Sequence, residues 1–287
     1  MAPISFETKD GEKYHLGIKE VNSNLITAGS PARVKRIAKH LKNSEVIENE
    51  RGLTLANGTF ENTKITAFCT GMGPSSSAIV LPEILETVEN PSTILRVGTA
   101  GRLQSRIDLG DLVIATGAVR DEGTTKSIVG SEYPAITDPV IIPIISKVCE
   151  DLGYELDENV FEGIIHVKDD LYFKEFPENS PSRDKLRSRL DSYKEMGVLA
   201  SSMEFSVISI MRDFFREKYD EDILAGCLLS IIADATEGKA GSIDKELKGK
   251  VLNDSIKIGL KSLEVVDKIR KGSELGFDLG KMVKKLV

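Results

Sequence analysis

The chain has 287 residues, 40% hydrophobic and 29% charged, which is enough apolar material for a sizeable core and argues against disorder. A formal charge of −7 argues against a nucleic-acid partner, since a phosphate backbone rewards a basic face, but it leaves room for a small anion in a locally positive pocket. Cys69, Cys149 and Cys227 are widely spaced in apolar runs, with no Cys/His cluster to hold a metal. No stretch approaches the roughly 20 apolar residues of a membrane span, and the N-terminal MAPISFETKDGEKY has no apolar signal core, so the expected location is cytoplasmic.

In chain order, a strand is predicted over 25–28, then a helix over 31–41 opened by Ser30 as N-cap and Pro31 at its first position. A strand over 64–69 runs through the turn Thr70-Gly71-Met72-Gly73-Pro74-Ser75 into a helix over 75–87. Strands follow over 93–97 and 111–118, a helix over 139–152, and a strand over 163–168. The polar, proline-bearing stretch 173–181 reads as a loop and a candidate lid. A helix over 185–194 precedes one over 203–218, in which Val207, Ile210, Met211 and Phe214 form one apolar stripe. A strand over 225–233 and a helix over 245–271 complete the pattern. Several strands are almost continuously apolar, as strands buried on both faces are. The alternation predicts one α/β domain over 1–287, a mostly parallel central mixed sheet flanked by helices.

Three glycine turns end strands and open toward one rim. Gly29-Ser30-Pro31-Ala32-Arg33 sets a helix N-terminus beside an arginine, which is an anion site, although a surface arginine after a plain strand–turn–helix reads the same way. In Ile94-Leu95-Arg96-Val97-Gly98-Thr99-Ala100-Gly101 an arginine interrupts a buried strand and must meet a carboxylate or a bound anion; the glycines after it predict a tight turn. Gly71-Met72-Gly73 is an incomplete dinucleotide fingerprint with no acidic residue at the expected distance, so that reading is set aside.

L-R-V-G-T-A-G at 95–101, T-A-G-S-P-A-R-V at 27–34, N-E-R-G-L at 49–53 and S-M-E-F at 202–205 together resemble the nucleoside phosphorylase family, over about residues 15–266. The resemblance implies that Gly29, Arg33, Arg96 and Thr99 hold phosphate, with Arg51 reaching in from a neighbouring subunit. It implies that Met203 packs on the ribose and Glu204 accepts from its hydroxyls, while His15 of a neighbour meets the 5′-hydroxyl. Tyr172, with Phe173 beside it, would stack on the base. His40 and His166 match no role and are expected to be structural or exposed. The implied assembly is a homo-hexamer, a trimer of dimers, acting on a small-molecule nucleoside with inorganic phosphate as co-substrate and no cofactor.

The resemblance further implies an oxocarbenium-like transition state over a phosphate dianion, with Asp234 protonating a purine N7 if burial raises its pKa toward neutrality. Y-H-L-G-I at 14–18 and V-R-D-E-G-T-T at 119–125 look like the uridine phosphorylase branch, while Asp234 and N-D-S-I-K-I at 253–258 look like the hexameric purine branch. The Gln and Arg with which uridine phosphorylases read uracil correspond to Glu175 and Pro177 here, a further arginine to Ala235, and the glutamate before Met203 to Ser202. Lys248 is the candidate basic partner of Asp234. On these residues a purine nucleoside is favoured; uridine, a water-using nucleosidase and a non-catalytic nucleoside-binding protein are the alternatives.

Overall fold

A computed structural model describes residues 4–236 and 241–272; the predicted domain, 1–287, extends past them at both ends. Eleven strands form one sheet: β1 (Asn24–Ala28), β2 (Lys42–Glu48), β3 (Thr54–Phe60), β4 (Thr63–Cys69), β5 (Thr93–Arg102), β6 (Leu112–Asp121), β7 (Ala135–Ile136), β8 (Val160–Lys168), β9 (Ala200–Ser202), β10 (Leu224–Asp234) and β11 (Gly241–Ser242). The helices are α1 (Pro31–Ala38), α2 (Gly73–Thr87), α3 (Gly123–Lys126), α4 (Ile141–Asp151), α5 (Tyr172–Glu175), α6 (Arg183–Glu195), α7 (Phe205–Tyr219) and α8 (Lys245–Arg270).

The parallel core β4-β1-β5-β10 carries four of the six predicted strands; the other two are β6, antiparallel to β10, and β8, parallel to β6. β5 pairs with β10, β10 with β6, β6 with β8, β8 with β9, and β9 back to β5, so five strands close into a ring. Consecutive residues of the central strands serve opposite cores. Leu25, Ile94 and Leu229 pack with α2 and α7, while Ile26, Leu95 and Leu228 pack with α1, α4 and α8. Burial on both faces is why these strands read as unbroken apolar runs, each buried Leu or Ile contributing about 1.5–3 kcal/mol.

Three predictions need correction. The hairpin β2–β3 was not expected: KNSEVIE is solvated along most of its length, and TLANGTF carries an Asn-Gly pair that mimics a turn. Gly98–Gly101 make no tight turn but continue β5 to Arg102, paired with β10 and β9. Residues 173–181 are not one loop, since 172–175 form α5 and Pro177–Asn179 a 3-10 turn. Ser30 does sit at the start of α1 before Pro31, but its side chain caps nothing. The three cysteines are buried and free, as expected.

Candidate active site

A cavity of about 330 Å³ opens where β1 and β5 end, and Gly29, Arg33, Arg96, Thr99, Met203 and Glu204 line it together. Arg96 lies on β5 and is only 3% exposed. Its Nη2 pairs with Glu204 Oε2, while Nε and Nη1, both buried, have no hydrogen-bond partner among the described residues. Buried guanidinium donors without acceptors call for a bound anion. Arg33, on the first turn of α1, spends Nη1 on the Val97 carbonyl at 3.3 Å. Burial, and then the neighbouring charge of Arg96, bring its pKa down to about 10, so it stays protonated at neutral pH and is relieved by negative charge.

The glycines of β5 exist because something presses on the strand. A Cβ at Gly98 would lie 2.6 Å from Leu229 Cδ2 and 3.0 Å from Arg96 Nε. Any side chain there would push on the arginine.

Met203 and Glu204 were expected on the first turn of a helix. They instead form the link from β9 to α7, with Glu204 at the N-cap position. Glu204 is 5% exposed, and besides Arg96 it accepts the Gly73 N–H at 3.0 Å. Gly73, at φ +83, supplies that N–H from a backbone shape that favours glycine. One carboxylate thus ties together the interior of β5, the β4–α2 turn and the start of α7.

Farther along β5 the wall changes character. Lys168, at the end of β8, and Glu175, at the end of α5, line the same cavity and form an ion pair, although they are only 1% and 4% exposed. Lys168 Nζ also donates to Ser201 Oγ on β9. Ser201 Oγ lies 3.2 Å from His166 Nδ1, and His166 Nε2 lies 3.1 Å from Asp121 Oδ2. Asp121 receives Arg189 Nη1 at 2.8 Å. Burial acts to raise the Asp121 pKa, but His166, Lys174 and Arg189 hold it below the usual carboxylate range. Burial lowers that of His166, which outweighs the pull of Asp121. A lysine can only donate and a carboxylate only accept, so the chain has one direction: Lys168 to Ser201 to His166 to Asp121.

Sequence reasoning missed this network; the available signal was a lysine ending the otherwise apolar run G-I-I-H-V-K. Tyr172 and Phe173 are 71% and 46% exposed and line no part of the cavity; Leu171 and Glu175 from that segment do. The two aromatics expected to stack on the base therefore lie outside the cavity lining in this single chain.

Residues 24–249 match the family model of the phosphorylase superfamily. The chain belongs to that superfamily. A uridine phosphorylase of Treponema pallidum (strain Nichols) is 29% identical, covering 81% of this chain and 86% of its own. A guanosine phosphorylase of Halorubrum lacusprofundi is 31% identical, covering 82% and 90%. A crystal structure of uridine phosphorylase from Vibrio fischeri ES114 superposes with a TM-score of 0.73 at 25% identity, covering 90% of this chain and 98% of that one. The phosphorylase resemblance read from the sequence is therefore correct, and the chain is an enzyme of the pentosyltransferase kind.

Within this phosphorylase, Asp234 departs from the expectation. It lies opposite Arg102 in the β10–β5 register, and Arg102 Nη2 donates to its Oδ2 at 2.6 Å while the Thr236 N–H donates to Oδ1 at 2.8 Å. Burial pushes its pKa up, but these hydrogen bonds outweigh it and bring it down to about 2. A carboxylate so held is ionised at neutral pH and has no proton to give. Its basic partner is Arg102, not Lys248, which is exposed on α8.

His15 and Arg51 lie apart from the phosphorylase's own cavity. His15 is held by Glu83 through its backbone N–H at 3.0 Å and its Nδ1. Arg51 is exposed, with its guanidinium 5.9 Å from the Tyr14 ring centre. Asn49 Nδ2 donates to the His15 carbonyl at 2.7 Å, so the two residues share one surface. His40 meets Asn253 Oδ1 at 3.2 Å, and His166 is buried, consistent with structural roles for both.

Proposed function

We propose that this enzyme cleaves the N-glycosidic bond of a purine nucleoside with inorganic phosphate, reversibly, to give free base and ribose 1-phosphate. The observation that carries the reading is Arg96, buried with two unpartnered nitrogens beside Arg33, in the same cavity as Met203 and Glu204. Charge-assisted bonds from Arg96 and Arg33, with the Thr99 hydroxyl and the Gly29 backbone, fix a phosphate dianion. Breaking the bond builds positive charge on the sugar, so a dianion beneath the ring both stabilises and captures it. Met203 packs on the ribose, and Glu204 keeps lone pairs for its hydroxyls.

Arg51 and His15 complete a neighbour's site in a homo-hexamer, since their shared surface lies away from their own cavity. The free, buried cysteines suit a cytoplasmic enzyme. No cofactor is required.

Uridine is the second reading. The Treponema pallidum relative and the Vibrio fischeri structure are both named for it, whereas the Halorubrum relative is named for guanosine. Guanine and uracil share one chemical edge, a ring N–H beside a carbonyl. A turnover assay over inosine, guanosine, adenosine and uridine, with and without phosphate, tests the proposal. Equal rates without phosphate would make the protein a water-using nucleosidase, ligand binding without turnover would make it a binding protein, and turnover of uridine alone would replace the purine assignment.

A further inference from the structure

We propose that the buried Lys168–Glu175 pair reads the base and carries its leaving-group charge. The Glu175 carboxylate accepts the ring N–H of an oxo base, and the Lys168 ammonium donates to the adjacent carbonyl oxygen. The inference rests on the phosphorylase reading and deepens it: the substrate class is guanosine, inosine or uridine, and adenosine and cytidine are rejected.

Position comes first. A Cβ at Gly101 would lie 2.8 Å from Glu175 Oε1, and Gly101 is five residues beyond Arg96 on β5, roughly 16 Å of extended chain. The pair therefore sits along the cavity from the anion end, with Met203 and Glu204 lining the same space. A sugar held by these last two would direct its base toward the pair.

Cost comes second. A buried ion pair is no more stable than apolar side chains of the same volume, so a pair in a cavity wall needs another reason to be there. Glu175 Oε2 meets the Lys168 ammonium, whose Nζ also donates to Ser201 Oγ. An ammonium has three N–H donors and each carboxylate oxygen can accept more than one hydrogen bond, so one donor on Lys168 and acceptor capacity on Glu175 remain for a third group in the cavity they both line. The chain from Ser201 through His166 to Asp121 holds the ammonium in place from behind.

Chemistry comes third. In the pose that satisfies guanine, adenine would set a ring lone pair against the carboxylate and an amino group against the ammonium, two repulsive contacts. Guanine adds its 2-amino N–H, which the second carboxylate oxygen can accept. As a phosphate oxygen bonds to C1′ and the C1′–N bond breaks, the electron pair passes to the base and spreads onto the carbonyl oxygen that Lys168 faces. Solvent returns the proton as the base leaves. With Asp234 held ionised by Arg102, Lys168 is the cation that meets this charge.

The test is kcat/KM with phosphate over guanosine, inosine, uridine, adenosine and cytidine. The best oxo nucleoside should exceed adenosine and cytidine by more than about tenfold; a smaller ratio overturns the proposal. In Glu175→Gln, and in Lys168→Gln/Glu175→Gln, which leaves no charge unpaired, that ratio should shrink at least about tenfold while KM for phosphate stays within about twofold. An unchanged ratio in a folded variant would make the pair structural. If neither variant folds, the wild-type ratio decides. If the wild type turns over no nucleoside with phosphate, the phosphorylase reading fails by itself, and calorimetry with free guanine and adenine then decides the base-edge inference: equal affinity overturns it.

Discussion

Arg96 and Glu204 are bound to each other in the protein's interior, yet the bond uses one of the three guanidinium nitrogens and leaves two without partners among the described residues. The carboxylate anchors the arginine without neutralising its remaining donors, which is the arrangement an anion site needs.

Phosphate at about 100 times its Kd should therefore stabilise the wild type by about 2.7 kcal/mol, and Arg96→Met by almost nothing. Thermal shift against phosphate concentration measures this. A full phosphate shift in Arg96→Met would remove Arg96 from the anion site.

Arg51→Ala should fold normally, because the side chain is exposed and its contact with Tyr14 contributes only about 0.5–1 kcal/mol. KM for phosphate should nevertheless rise at least about tenfold, the loss of one charge-assisted contact. An unchanged KM would count against sites shared between subunits.

Asp234 has its pKa lowered to about 2, so whatever stability it adds is present at neutral pH and is lost only as pH falls through about 4 toward 2. Between pH 5 and 8 it stays charged, and the kcat/KM profile should show no inflection that disappears in Asp234→Asn. An acid limb near pH 6 to 7 abolished by that substitution would restore Asp234 as the proton donor.

His166 behaves differently. Burial depresses its pKa below the ordinary value near 6.5, so below about pH 6.5 the unfolded chain binds a proton that the folded chain refuses. Stability should fall as pH drops from about 6.5, and urea titrations of His166→Gln should lack that component of the slope. Identical pH dependence in the two proteins would show that His166 is not buried neutral.

Gly101→Ala places a methyl carbon 2.8 Å from Glu175 Oε1 and 3.2 Å from Ala235 Cβ. KM for the nucleoside should rise several-fold with phosphate affinity unchanged. A loss confined to phosphate would put Gly101 at the wrong end of the cavity.

That Arg33 and Arg96 share one cavity was legible because physics leaves few choices there: an arginine inside I-L-R-V must find negative charge, as Arg96 does in Glu204, and S-P-A-R marks a helix start on sequence alone. The six central strands and six long helices were legible from apolar runs and periodicity. What stayed hidden depends on register and rotation. Asp234 meets Arg102 only because β10 and β5 align those two positions. Tyr172 is exposed and Glu175 buried on one four-residue helix, and so short a segment carries no apolar periodicity to say which side faces inward. Lys168, Ser201, His166 and Asp121 come from three strands, and nothing local announces their meeting. β2 was invisible because a mostly solvated edge strand carries little apolar pattern.

Three residues of β9 close the ring between β8 and β5, and both halves of the cavity depend on them: Ser201 steadies Lys168, and two residues after the strand Glu204 steadies Arg96. Side chains alternate along a strand, so a slip of β9 by a single position would disengage the serine and displace the glutamate at once. The Arg96–Glu204 and Lys168–Glu175 ends of the cavity are thus mechanically yoked, and a lesion in this short tether would disturb both together.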